Sequence, residues 1–152
     1  MLPNDPSAML SRLLALHARR RSERRRAALT LDAARARAAR GAALLDDRDP
    51  GWADRVDLGT LRLSDGTACV LGQLSGGYRR GLRARVLDLS SAPSRFVSPI
   101  DLGFQAVGDL GEAAEDLDYA LLTRAWRDEV VARRGGGLPT RPLVRNVARE
   151  AG

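Results

Sequence analysis

The chain has 152 residues, 25 of them basic and 19 acidic, for a formal charge of +6. That length suits one domain with a core of its own, and no run approaches the roughly 18 consecutive apolar residues of a transmembrane helix. The single cysteine, Cys69, excludes an internal disulfide framework and suits a reducing compartment. The opening MLPNDPSAML is acidic and leads into no signal-peptide core, so a cytoplasmic protein with no membrane partner is expected.

Lysine is absent, and every basic residue is arginine. Ala, Leu, Gly, Val and Arg dominate, the bias of a GC-rich genome, which raises the isoelectric point without demanding a nucleic-acid partner. The distribution of charge is more telling. Residues 1–40 hold ten arginines against three acids, whereas residues 41–152 hold 15 against 16. A basic N-terminal element is joined to a nearly neutral body.

In chain order, residues 1–6 read as a flexible lead. Ser7 is placed to cap a helix in which Met9, Leu10, Leu13, Leu14 and His17 make one apolar stripe. HARRRSERRR follows with no apolar face. Leu31, Ala34, Ala38, Ala42 and Leu45 then restore a stripe at helical spacing. Residues 7–40 contain neither Pro nor Gly, and Ala and Arg favour helix. The pattern predicts either one helix over 7–46 or two helices broken near 30–32, with Asp32 capping the second. Asp46, Asp47, Asp49, Pro50 and Gly51 end it.

The expected body spans 47–134. Trp52 and Val56 lie on a short turn or helix, and 58–63 read as an extended piece with period-two apolar positions. Asp65 and Gly66 signal a turn. Thr67 is placed to cap one helix carrying Val70, Leu71, Leu74, Tyr78 and Leu82. Residues 84–111 read as loop with room for a small hairpin. A helix over 116–134 starts at Asp116 or Asp118, turns Tyr119, Leu122, Trp126 and Val130 inward, and ends with Arg133 and Arg134 at its negative pole. Gly135, Gly136 and Gly137 stop it, and 135–152 read as an extended or disordered tail. The predicted fold is mainly α: a long basic N-terminal helix, or two, plus a small helical body with at most a short hairpin. Its expected core includes Trp52, Cys69, Leu71, Leu74, Tyr78, Leu122 and Trp126.

The stretch TACVLGQLSGGYRRGL invites three chemical readings. Gly72 and Gly77 have the spacing of phosphate-loop glycines, but the motif then needs Lys and Ser or Thr. Tyr78 and Arg79 follow instead. A nucleophilic Cys69 needs a base, and the lone histidine, His17, sits in another segment, where it reads as a core or interface residue. One Cys and one His cannot close a zinc shell. The remaining reading is packing: each helical glycine costs about 1 kcal/mol against alanine, and close backbone approach is the reason to keep it.

The run GAALLDDRDPGWADRVDLGTLRL followed by CVLGQLSGGY resembles small proteins of actinobacteria and their phages that carry a GW-x-x-R-[IV]-D segment leading into CVLGQL-x-G. The similarity extends more weakly through GFQA and DYALLTRAWRDEV, over about residues 41–132. The resemblance implies an actinobacterial or phage origin and no activity. Members often carry a second cysteine three positions before the first. Gly66 occupies that position, so any metal or redox role of such a pair is lost here.

The functional expectation is a non-enzymatic binding protein, a protein-interaction module bearing an arginine-rich helix. Leu10, Leu13, Leu14 and His17 form the candidate patch for a protein partner or a second copy. Arg19, Arg20, Arg21, Arg24, Arg25, Arg26, Arg35 and Arg37 are the candidates for an acidic partner. The alternative gives those arginines to DNA or RNA with weak sequence specificity, since guanidinium groups suit phosphate. The carboxylates Asp46, Asp47, Asp49, Asp54, Asp57, Glu112, Glu115, Asp116 and Asp118 flank helix ends, where acids are ordinary. No catalytic, metal-binding or cofactor-binding residue is assigned.

Overall fold

A computed structural model describes residues 5–87 and 98–135. Five α-helices run in the order α1 (Pro6–Ala27), α2 (Leu31–Arg48), α3 (Val70–Ser75), α4 (Tyr78–Leu82) and α5 (Glu112–Arg134). A 3-10 turn at Trp52–Arg55 and a π turn at Arg83–Leu87 complete the helical structure, and the described residues contain no strand.

The basic N-terminal stretch is two helices. The break falls at Ala28, Leu29 and Thr30. Thr30 takes an extended conformation and its Oγ1 accepts from the Ala33 amide at 3.2 Å, so Thr30 rather than Asp32 caps α2. At the front of α1 the cap is Asp5, which accepts from the Ser7 amide at 3.0 Å, with Pro6 in the first turn, where its missing N–H costs nothing. The helix therefore begins inside the expected lead, of which residues 1–4 lie outside the described residues.

The break separates two different environments. α1 buries no residue. α2 buries Ala34, Ala38, Gly41, Ala42 and Leu45 against α5, which answers with Ala114, Leu122, Ala125, Trp126 and Val130. The small side chains on α2 let the two helices approach closely. A turn over 99–105 fills the groove between them. Gly41 is obligatory there, because a Cβ would overlap the Leu102 carbonyl and the Trp126 ring. Trp126 is fully buried, donates from Nε1 to the Gly103 carbonyl at 2.6 Å, stacks on Phe104 and meets Trp52 edge-on at 5.7 Å.

The remainder of the body wraps this pair. The expected extended piece at 58–63 is not a strand. Its period-two pattern did identify inward residues, since Leu61 and Leu63 are buried and Leu58 packs on the core. With no neighbouring strand, the Leu63 amide donates to Thr123 Oγ1 on α5 at 3.0 Å instead. The single helix expected through Tyr78 is two. Gly76 adopts φ +75, the left-handed conformation that stops α3. The chain then turns so that the Tyr78 amide reaches the Gly66 carbonyl at 2.7 Å. α3 is capped by Cys69, whose Sγ accepts from the Gly72 amide at 3.3 Å, while Thr67 is held by Asp65.

α5 starts four residues before Asp116, preceded by Gly111 at φ +94. Asp118 is buried within it and caps nothing. Leu122, Trp126 and Val130 face inward as expected, with Tyr119 half-buried. Of the other expected core residues, Trp52, Cys69 and Leu71 are buried, and Leu74 and Tyr78 pack on the core from its edge. Gly135 closes α5 by donating its amide to the Val131 carbonyl at 3.0 Å. The hairpin allowed within 84–111 does not occur in its described part. Residues 88–97, and the tail from 136 onward, lie outside the described residues.

Candidate partner-binding arm

α1 is a 22-residue helix, about 33 Å long at 1.5 Å per residue. Five of the seven exposed large apolar side chains among the described residues lie on it: Met9, Leu10, Leu13, Leu14 and Leu16. That concentration places most of the exposed large apolar surface on the arm; the other two, Leu117 and Val131, lie on α5. Met9, Leu13 and Leu16 form one helical row, and Leu10, Leu14 and His17 form the adjacent row. His17 is exposed, so it is not a core histidine. The expected patch of Leu10, Leu13, Leu14 and His17 is thus one contiguous band. Met9 and Leu16 extend it. Leu16 was missed because it falls outside the row that His17 closes, although its i+3 spacing from Leu13 was readable.

The candidate arginines divide into two groups. Arg19, Arg20, Arg21 and Arg24 are exposed on α1 and make no side-chain hydrogen bond or ion pair among the described residues. Arg25 and Arg26 tie the arm to the body. Arg25 forms a bidentate pair with Asp109, its Nη2 donating to Oδ1 at 2.7 Å. Arg26 donates from Nε and Nη2 to the Leu110 carbonyl at 3.1 and 2.8 Å. The Arg25 guanidinium holds the Asp109 carboxyl below its ordinary range.

The two candidate arginines on α2, Arg35 and Arg37, serve the body. Arg35 bonds Asp128 on α5 at 3.3 Å. Arg37 is engaged on every nitrogen: Nη1 with Asp118 at 2.8 and 3.0 Å, Nε with the Ile100 carbonyl at 2.7 Å, and Nη2 with the Gln105 carbonyl at 2.8 Å. With all three nitrogens bonded to the body and its side chain 13% exposed, it is committed to the fold and not to the arm's surface. Sequence patterning counted Arg37 with the basic run because spacing alone cannot show which arginine meets a buried acid.

No family model, curated protein or solved structure matches this chain. The roles of its residues therefore rest on its own geometry.

The stretch that suggested chemistry is structural. A Cβ at Gly72 would overlap the Gly66 carbonyl, and one at Gly81 would lie 2.6 Å from the Leu71 carbonyl, so both glycines permit close backbone contact. Cys69 is buried, and that burial pushes its thiol pKa up, away from the thiolate a nucleophile needs. A cleft of about 330 Å³ beside it is lined in part by Leu63, Tyr78, Phe104, Gln105 and Tyr119. Tyr78 donates its hydroxyl to Gln105 Oε1 at 3.0 Å, and burial pushes its pKa up to about 12, so it stands there as a neutral phenol. Among the carboxylates, Asp46 accepts from Trp52 Nε1 at 2.8 Å and pairs with Arg133 at 2.7 Å, while Asp49 pairs with Arg55 and Arg85. No group of three or more His, Cys, Asp or Glu among the described residues is placed to hold a metal ion. No helix among them is long and apolar enough to cross a membrane.

Proposed function

We propose that the protein is a non-enzymatic binding module that works through α1, whose apolar band docks a protein surface while Arg19, Arg20, Arg21 and Arg24 engage acidic groups beside it. One observation carries this reading: a six-turn helix that buries nothing holds most of the exposed large apolar side chains among the described residues. An isolated helix of this length is marginal in water, and covering its apolar face stabilises it. The engagement of Asp46, Asp49 and Asp118 by arginine, and the burial of Cys69, support a binding role over a catalytic one.

The test is a photo-cross-linking amino acid placed at Leu14 and, in a second variant, at exposed Arg127 on α5. A protein adduct from position 14 that disappears in L10D/L13D is the expected result. Equal labelling from both positions, or none from position 14, would remove the reading.

A second reading gives the arm to nucleic acid, and the four unpaired arginines support it. Binding of duplex DNA and single-stranded RNA across a salt series tests it. On duplex, log K should fall by about 0.9 per phosphate contacted against log salt. R19Q/R20Q/R21Q/R24Q should abolish the binding. Unchanged binding by that variant would reject this use of the arm.

A further inference from the structure

We infer that the body carries a binding site of its own, a two-part cleft joined at Arg79 that takes a nucleoside phosphate. The ring enters the part walled by Tyr78 and Tyr119, and the phosphates lie on Arg79, Arg80 and Arg83. The site is separate from α1 and independent of the docking reading.

The phosphate half stands on α4 and the π turn that follows it. Arg79, Arg80 and Arg83 are exposed and make no side-chain hydrogen bond or ion pair among the described residues. With Ala84 they line a hollow of about 360 Å³. Gly81 is buried against the Leu71 carbonyl and fixes the other side of α4 to the core. Arg85, two residues beyond Arg83, is paired with Asp49, but no acid reaches the three that face the hollow. Arg79 and Arg83 are four positions apart, where like charges repel. An anion between them removes that repulsion, and guanidinium forks match phosphate oxygens.

The ring half is the cleft of about 330 Å³ beside Cys69, and Arg79 lines it too, so the two hollows meet at one side chain. Phe104 is buried and held by stacking on Trp126, which gives the cleft a fixed apolar floor. Tyr78 and Tyr119, both half-buried, give it flat walls. The Tyr78 hydroxyl donates to Gln105 Oε1 at 3.0 Å. The Gln105 amide nitrogen has no partner among the described residues, so it can donate to an acceptor on a ring edge.

The two halves together specify the ligand. Each has a volume near the low end of small-molecule sites, which run from about 300 to 1,000 Å³. No carboxylate lines either one, so a cation finds no counter-charge there. An apolar slot with one convergent donor suits a flat, sparingly polar ring. Three unpaired guanidinium groups beside it call for more negative charge than a single carboxylate brings, and a di- or triphosphate supplies it.

Calorimetric titration of the full chain tests both halves. The probes are adenosine, guanosine and uridine triphosphates, adenosine, and inorganic tripolyphosphate. At least one nucleoside triphosphate should bind, with tripolyphosphate at least ~10-fold weaker and adenosine weaker still. Arg79→Gln should weaken the nucleotide at least ~10-fold through loss of a charge-assisted contact. Ser64→Trp, which fills the ring half from an exposed position on its lining, should weaken the nucleotide and leave tripolyphosphate unchanged. Both variants alter exposed side chains and should melt with the parent. R19Q/R20Q/R21Q/R24Q should bind nucleotide as the parent does, which separates this site from the basic surface of α1. Tripolyphosphate that binds as tightly as every nucleotide would overturn the inference, and so would binding lost in the α1 variant but kept in Arg79→Gln. No binding of any nucleoside triphosphate up to about 1 mM would also overturn it and would leave docking through α1 untouched.

Discussion

Asp118, 1% exposed, accepts both from Arg37 of α2 and from the Val107 amide at 3.0 Å, and so ties α2, α5 and the loop between them at one point. Neither charge is left to desolvation alone, because each has partners on several sides. Removing one member leaves the other buried and unpaired, which costs about 3–5 kcal/mol. Asp118→Asn and Arg37→Met should therefore each lower the denaturant midpoint by a large fraction of total stability. The double variant R37L/D118L should recover only part of the loss, since it removes the unpaired charge but leaves the Val107 amide and the Ile100 and Gln105 carbonyls without these partners. Denaturant unfolding followed by tryptophan emission measures all three.

The groove at Gly41 makes a second prediction. Gly41→Ala drives a methyl group into the Leu102 carbonyl and the Trp126 ring, and overpacking of this kind costs about 1–3 kcal/mol. Gly108→Ala is the control, because an added Cβ there meets nothing within 4 Å. Thermal melting should separate the two variants, with G108A close to the parent. Truncating Trp126 itself to alanine should cost about 3–5 kcal/mol.

Acid should weaken the fold in a defined way. Hydrogen bonding from Arg133 holds the Asp46 carboxyl below its ordinary value, with a smaller contribution from Trp52. Burial raises the Asp49 carboxyl, but Arg85 and Arg55 outweigh it and the net shift is downward. A depressed folded-state pKa adds stability above the unfolded value, near 3.9, and that stability is lost as pH falls through the folded value. Asp46→Asn should thus be less stable than the parent near neutral pH, and the gap should close below about pH 4. Chemical denaturation in paired buffers reads the difference. A gap that persists at low pH would assign the effect to packing.

Thiol labelling gives a fourth check. Cys69 is buried and its thiol pKa is raised, so a disulfide reagent should react only through opening of the structure. Its labelling rate should rise in step with global unfolding as denaturant is added. Fast labelling of the native protein at neutral pH would contradict the placement of Cys69 beneath Gly66 and Gly72.

The helical periodicity of Ala34, Ala38, Ala42 and Leu45, and of Leu122, Trp126 and Val130, was enough to read both long helices of the body, because burying one stripe is a local demand. What stayed illegible depends on contacts distant in sequence. Asp118 looked like a helix cap until Arg37, 81 positions away, gave it a partner. Leu61 and Leu63 looked like strand residues because alternation records burial, and it carries no information on whether a neighbouring strand exists. Of the glycines read as packing residues, Gly72 does meet the Gly66 backbone, whereas a Cβ at Gly77 would meet nothing within 4 Å and the reversal at Gly76 required its left-handed φ, which Gly permits and does not announce. On the arm, the leucine patch was plain from spacing. Which arginines remained unpaired was settled only by where Asp109, Leu110 and Asp118 lie.

The interior closes without a single side chain from α1. Changes at the exposed positions between Met9 and Arg21 therefore carry almost no folding cost, and changes on the buried faces of α2 and α5 do. The two parts of the chain answer to separate selective demands: the body must keep its jigsaw, while the arm answers only to what it touches. Such an arm can drift, be retuned or be exchanged for another of the same length while the body stays as it is. Sequence divergence between related chains should accordingly concentrate before Thr30, with Arg25 and Arg26 held as the fixed point where a variable recognition element is mounted on a constant base.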